Sequence, residues 1–313
     1  MYKFLLVLLA AGPVPAQLPD FYKTVDRVTW VVGDVGRVAE AWGKFSFVQI
    51  QSRGEMEAAG AKVKVVSAKL RDLRVEWVQP LGGRGACAGF LKSYGDGIFS
   101  LVHRVPSVEA LDRELDRLRG LGVNVLERQK RKDGVQLVYL DTVSGGKYAL
   151  GLMYDPAAPS SETPPPPGAR INQFAFVARE PKAVSAAWEK IGLPALACNP
   201  GKLGNQRYRD QPGDFAQDLC WQRHGRVPYE WIVTHKGPDI FEEHLKAHGD
   251  GPQHLGFPVE DMDKAIAEWR AAGYPVAQSG SWGEEGKPRS GRFAYVDTAT
   301  IGGVFMELLW NFR

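Results

Sequence analysis

Cysteine is scarce in this chain of 313 residues, which has three, Cys87, Cys198 and Cys220. That excludes a disulfide-stapled small scaffold and a cysteine-rich zinc module, and it allows one bridge at most. Cys198 and Cys220 share one segment and are the natural pair, with buried free thiols as the alternative. Excess charge is also lacking. Lys plus Arg is 39 against 36 for Asp plus Glu, a net +3, too little to argue for a nucleic-acid partner. No apolar run is long enough to cross a bilayer as a helix. A phosphate-cradling loop is missing, because Gly82-Gly83-Arg84-Gly85 lacks the strand, lysine and hydroxyl of a P-loop, and no nucleophile elbow is present. What remains is 44% hydrophobic and 24% charged, an ordinary folded composition whose length predicts about two domains.

The chain opens with Lys3, an apolar stretch from Phe4 to Ala11, and small residues in Val14-Pro15-Ala16. These three parts predict a secretory signal, residues 1–16, and so a periplasmic or secreted mature protein without a membrane span. Residues 156–169 are Pro-rich and without hydrophobic periodicity, which predicts a stiff exposed spacer. It separates halves of similar length, 20–155 and 170–313.

The halves repeat one another. Val75-Glu76-Trp77-Val78 and the run from Phe90 to Gly97 recur, at a single offset, as Tyr229-Glu230-Trp231-Ile232 and the run from His244 to Gly251. Each half divides again into similar quarters. In the last quarter 253–259 reads as a strand, and Met262, Ile266, Trp269 and Ala272 fall at helical spacing until Gly273 stops the helix. Strand-like runs 292–296 and 304–310 follow, separated by a turn containing Gly302 and Gly303. The second quarter repeats this order, with a strand at 98–105, a helix at 108–121 and strands at 136–140 and 147–153. With a weaker strand after each helix, the unit is strand, helix and three strands, four times over.

In these segments the chain resembles the vicinal oxygen chelate superfamily, which includes glyoxalase I, methylmalonyl-CoA epimerase, extradiol dioxygenases and antibiotic-binding resistance proteins. The likeness is most specific from His254 to Asp261 with the helix after it, from Gly291 to Thr298 and from Met306 to Leu309. In the first half it lies between Val75 and Gly83. It implies an α+β fold of tandem domains, each two βαβββ modules forming a curved mixed sheet around a cleft. It also implies a divalent metal held from the first and last strands of each unit. Carried over residue by residue, the ligands are Gln173, Glu230, His254 and Glu307, a set similar to that of glyoxalase I enzymes.

The residues support this independently of the resemblance. Glu307 stands within Val304-Phe-Met-Glu-Leu-Leu-Trp310 and Glu230 within Tyr229-Glu-Trp-Ile-Val233. A carboxylate among such neighbours is costly unless a cation or strong donors meet it, the alternative being that it faces water. One nitrogen and three oxygen donors suit Zn²⁺, Mn²⁺, Ni²⁺, Co²⁺ or Fe²⁺. Gln173 is the weakest member, since neutral amides bind metals poorly and Asn172 lies beside it. At the matching places the first half has Arg27, Glu76, Ser100 and either Leu150 or Gly151. A carboxylate beside an arginine forms an ion pair, so this half is expected to bind no metal and to support the other.

The function this implies is a lyase or isomerase acting by proton abstraction on a small oxygenated substrate, with Glu307 the first candidate base and Glu230 the second, as a monomer or homodimer. Two alternatives remain. An Fe(II) extradiol-type dioxygenase needs two histidines, and Gln173 stands in place of the first; His235, His244 and His248 sit in settings that suggest solvated or outer groups. The other alternative is a non-catalytic protein that binds and sequesters a small molecule. Lys202, Arg207 and Arg209, or Lys287, Arg289 and Arg292, are candidate contacts for an anionic substrate, against the plainer reading of solvated loops. Trp221 and Trp282 are candidate cleft walls. Trp231 is expected in the core, because Trp77 repeats it where the metal set is not repeated.

Overall fold

The computed structural model describes residues 18–159 and 166–312. The expected signal, 1–16, and the middle of the Pro-rich spacer lie outside the described residues.

The first half opens with β1 (Arg27–Val31), α1 (Val35–Trp42), β2 (Val48–Ala58), β3 (Ala61–Leu70) and β4 (Leu73–Pro80). Helix α2 (Ala86–Tyr94) leads to β5 (Gly97–Arg104), α3 (Val108–Gly120), β6 (Val125–Lys130), β7 (Gln136–Leu140), the short α4 (Val143–Gly146) and β8 (Ala149–Tyr154). The eight strands form one sheet in the order β2-β3-β4-β1-β5-β8-β7-β6. Each module's first strand runs parallel to its last, β1 with β4 and β5 with β8, and the modules meet where β1 and β5 pair antiparallel. These are two βαβββ units back to back.

The second half repeats the plan with β9 (Gln173–Val177), α5 (Pro181–Glu189), β13 (Ala216–His224) and β14 (Val227–Lys236). After α6 (Ile240–Ala247) come β15 (Gly251–Pro258), α7 (Met262–Ala271), β16 (Val276–Trp282), β17 (Gly291–Val296) and β18 (Phe305–Asn311). It adds β10 (Ala197–Pro200), β11 (Leu203–Tyr208) and β12 (Gln211–Pro212). The ten-stranded order is β10-β13-β14-β9-β15-β18-β17-β16-β11-β12. Because β10 pairs with β13 at one edge and β11, two residues later, pairs with β16 at the other, a single stretch bridges both edges of the curled sheet. Cys198 and Cys220 face one another across β10 and β13 and are disulfide-bonded, while Cys87 is free and buried.

Local signals explain the boundaries. The Ser107 hydroxyl caps α3 by accepting from Ala110 N, and Asp261 caps α7 by accepting from Lys264 N. Gly273, with φ 92°, ends the α7 segment in a conformation that side chains disfavour. Among the described residues no helix is long and apolar enough to cross a membrane.

One apolar core runs through both halves. Trp42 of α1 meets Trp269 of α7 at 6.3 Å, and Phe45 meets the same indole at 4.3 Å. On the other side Tyr148 stacks on Trp188 at 4.6 Å and on Phe176 at 5.1 Å. Burying each such ring contributes roughly 1.5–3 kcal/mol. The first half also grips the turn before β18: Trp30 Nε1 donates to Gly302 O (2.5 Å), Trp42 Nε1 to Ile301 O (2.8 Å), and Arg37 to Thr300 O. Two smaller clusters line the inner faces of the sheets, one beneath α2 and one beneath α6.

Candidate metal centre

Register brings the four side chains named from the sequence to one place. On β9, Gln173 lies opposite Gly256 of β15, and Gly256 lies opposite Glu307 of β18. His254 of β15 and Glu230 of β14 flank β9 at the same partner, Ala175. Convergence requires Gly256 to lack a side chain. A Cβ there would lie 2.4 Å from Gln173 Oε1 and 3.0 Å from Glu307 Oε2, closer than packed atoms tolerate.

All four are buried, with exposures of 6% for Gln173, 4% for Glu230, 1% for His254 and 3% for Glu307. His254 Nε2 lies 3.5 Å from a Glu230 oxygen and 3.4 Å from Glu307 Oε2. Gln173 Nε2 donates to Glu230 Oε2 at 3.1 Å, so its own Oε1 is left over. Behind the ring, Gln253 Oε1 accepts from His254 Nδ1 at 2.6 Å. With Nδ1 engaged there, Nε2 faces the two carboxylates. Gln173 Oε1, His254 Nε2 and Glu307 Oε2 have no hydrogen-bond partner among the described residues, although all are buried.

The electrostatics reflect two acids around one base. Burial alone pushes the His254 imidazolium down, yet Glu230 and Glu307 on either side more than offset it and raise its pKa to about 9. Burial raises the Glu230 carboxyl above the usual carboxylate range, and Glu307 adds to this against the pull of His254. One carboxylate, one imidazole and a second carboxylate can place one ligand atom each within 4.8 Å of one another. With the Gln173 carbonyl alongside, the unpartnered atoms suit a divalent cation, and the donor types fit a borderline or hard one.

The same row in the first half is filled differently. Arg27 stands at the place of Gln173, Ser100 at that of His254, and the register assigns Gly151, not Leu150, to that of Glu307. Glu76 keeps the place of Glu230 and is clasped by Arg27 Nη1 (2.9 Å) and by Arg131 through Nη1 (3.0 Å) and Nη2 (2.9 Å). Burial would raise the Glu76 carboxyl, but the two guanidiniums hold it below the usual range. This half thus pairs its one carboxylate with two guanidiniums, while Ser100 Oγ and Arg131 Nε are buried without a hydrogen-bond partner among the described residues.

Other candidates fall outside the centre. His235 pairs with Asp218 at the surface, and His248 Nδ1 contacts Tyr94 O across the halves. His244 is buried on α6, where burial first, then His248 and His254, lower its pKa to about 3; of the two settings expected for it, solvated or outer, the first is excluded. Arg209 is tied to Glu243 and Arg292 to Asp263. Trp231 is core, stacked on Phe176 at 4.2 Å. Sequence reasoning passed over Gly256, Gln253 and Tyr295. Tyr295 pairs with Glu307 across β17 and β18, and its ring lies 4.9 Å from His254. Burial, Glu307 and Glu230 push its hydroxyl well above the ordinary value, so it stays protonated. The repeat of Tyr139 and Tyr295 was the available signal. Phe241 of α6 closes the other side, 5.4 Å from Tyr295 and 6.2 Å from His254.

Two curled mixed sheets, each of paired βαβββ modules, define a two-domain α+β protein of the cleft-forming kind. A family model described as the Glyoxalase/Bleomycin resistance protein/Dioxygenase superfamily matches residues 172–295. A variant of 4-hydroxymandelate synthase from Streptomyces coelicolor is similar in structure, with a TM-score of 0.64 at 15% identity over 92% of each chain. A xylose isomerase-like TIM barrel/4-hydroxyphenylpyruvate dioxygenase fusion protein gives a TM-score of 0.57 at 13% identity, over 96% of this chain and 50% of its own. Methylmalonyl-CoA epimerase from Mycobacterium tuberculosis covers 43% of this chain and 87% of its own at 20% identity, with a TM-score of 0.35. No curated protein matches the sequence. Residues 172–295 thus match that superfamily's model, and over the whole chain the likeness to solved structures shows a shared two-domain fold.

Proposed function

We propose that this protein is an exported, metal-dependent lyase or isomerase that abstracts a proton from a small oxygenated substrate, with its centre in the second domain alone. The domains would be residues 20–155 and 170–313, joined by the spacer 156–169. The observation that carries the reading is the set of unpartnered buried atoms, Gln173 Oε1, His254 Nε2 and Glu307 Oε2. Leaving such atoms without partners costs about 1–3 kcal/mol each, which a cation at that point would offset.

Gln173, Glu230, His254 and Glu307 would hold the ion. When bound, a divalent ion supplies Lewis acidity, polarising a substrate oxygen and acidifying the adjacent C–H. Glu307 would take that proton, its Oε2 having no hydrogen-bond partner among the described residues and lying 3.4 Å from His254 Nε2. Glu230, on the other flank of His254 and made more basic by burial, is placed to return one. Gln173 Nε2 orients Glu230, and the lining around Phe241 and Tyr295 excludes water. Extradiol chemistry calls for two imidazoles and one carboxylate, and this set has a single imidazole.

The Cys198–Cys220 bridge supports export, because such bonds persist in oxidising compartments. A mature chain beginning at Gln17 is expected from amino-terminal sequencing. Metal analysis of the native protein beside His254→Ala and Glu307→Ala tests the centre, and equal metal in all three would defeat it. Uptake of solvent deuterium into a candidate substrate tests proton transfer. Tight retention of a ligand without such uptake would favour sequestration instead.

A further inference from the structure

We propose that Gln278 is a substrate-holding residue: its free amide NH₂ binds an acceptor oxygen, carboxylate or carbonyl, at the end of the substrate remote from the metal. This rests on the metal reading above and adds the class of ligand, a small molecule with chelating oxygens at one end and an acceptor oxygen at the other.

Gln278 of β16 lies opposite Tyr295 of β17, which lies opposite Glu307 of β18. Residues directly opposed in antiparallel strands share a face, so Gln278 is on the inner face, two strands from Glu307. It is 1% exposed. Its Oε1 accepts from Ile240 N, at the start of α6, at 3.1 Å. A backbone N–H can only donate, so the oxygen is committed and the remaining atom is the NH₂. That Nε2 is buried and has no acceptor among the described residues.

The first domain shows that capping the helix does not explain an amide. There Glu127 of β6 occupies the same place opposite Tyr139. Its Oε2 accepts from Ala86 N, the first residue of α2, at 2.8 Å, and its Oε1 accepts from Gln129 Nε2 at 2.9 Å. A carboxylate there caps the helix and has both oxygens occupied. In the second domain the exchange to an amide turns the second atom from acceptor to donor, and no side chain among the described residues supplies its partner. The exchange also spares a cleft that already holds Glu230 and Glu307 a third negative charge, which would repel an oxygen-rich ligand. Phe241, over His254 and Tyr295, covers the path between the two points, so such a ligand would lie beneath the first turn of α6.

Calorimetry on the Zn²⁺-loaded protein tests this with alkyl hydroxamates as metal-anchored probes. The monohydroxamates of succinic, glutaric and adipic acid are each compared with the methyl-ended hydroxamate of equal length. One of the acids should bind about tenfold tighter than its methyl-ended partner, the size of a hydrogen bond to a charged acceptor. Gln278→Glu, which keeps the Ile240 cap as Glu127 keeps that of Ala86, should abolish the gain of each acid over its methyl-ended partner measured in the same variant. A native protein that binds the methyl-ended series but gains nothing from any acid overturns this inference alone, as does a gain that survives Gln278→Glu. A folded native protein that binds no hydroxamate overturns the metal reading and this inference with it.

Discussion

The two domains place four residues at the same four points of the same fold and resolve the electrostatics in opposite ways. In the first, Glu76 is clasped by Arg27 and Arg131, and the fourth point is Gly151. In the second, two carboxylates share one imidazole, and among the described residues no cationic side chain other than that imidazole pairs with either of them. A buried carboxylate demands compensation in either case. What differs is that arginines supply it in the first domain and only one imidazole does in the second, and that difference marks which copy could hold a cation.

The comparison breaks most sharply on metal affinity. His254→Ala or Glu307→Ala should lower it by more than the roughly 10–100-fold that losing an outer partner costs, whereas Ser100→Ala at the matching point should leave it unchanged. Competition with a chromogenic chelator reads both. Next is folding stability in chelator. Arg131→Leu strips Glu76 of its bidentate partner and should cost about 3 kcal/mol in urea denaturation. Glu307→Gln should cost less than about 1 kcal/mol or stabilise, because it leaves one carboxylate for one imidazolium.

Gly256→Ala sharpens the contrast at a smaller scale. Its methyl would drive Gln173 and Glu307 apart at a cost of about 1–3 kcal/mol, and metal binding should weaken with it. The matching residue of the first domain, Val102, already bears a side chain. The last and smallest test is pH. In metal-free protein His254 has its pKa raised to about 9, so its stabilisation is complete below its ordinary value and is lost as pH rises through about 9. Glu76 is lowered, so its stabilisation holds above the ordinary carboxylate value and is lost as pH falls. Melting curves from acid to alkaline pH should show both losses, and saturating Zn²⁺ should remove only the alkaline one.

Much of this architecture was legible because duplication prints each strand twice. Trp77 and Trp231, and Glu76 and Glu230, recur at one offset because both strands need the same core residue beside the same inward carboxylate. The closing stretch β10–β12 was not legible, since 201–214 has neither alternation nor a counterpart in the first half. Arg131 was missed because it follows β6, far in sequence from the Glu76 it clasps. Choosing between Leu150 and Gly151 required the pairing of β8 with β5, and a one-residue slip changes which face a strand residue occupies. Gln278 and Tyr295 looked like ordinary strand residues, because the feature that distinguishes them is who fails to meet them.

The indoles that hold the turn at 300–302 belong to the other domain, the one that carries Glu76 between its arginines. Expressed without its neighbour, the carboxy-terminal copy would leave those carbonyls to water and bare the flank of Trp269, so it is not a portable module.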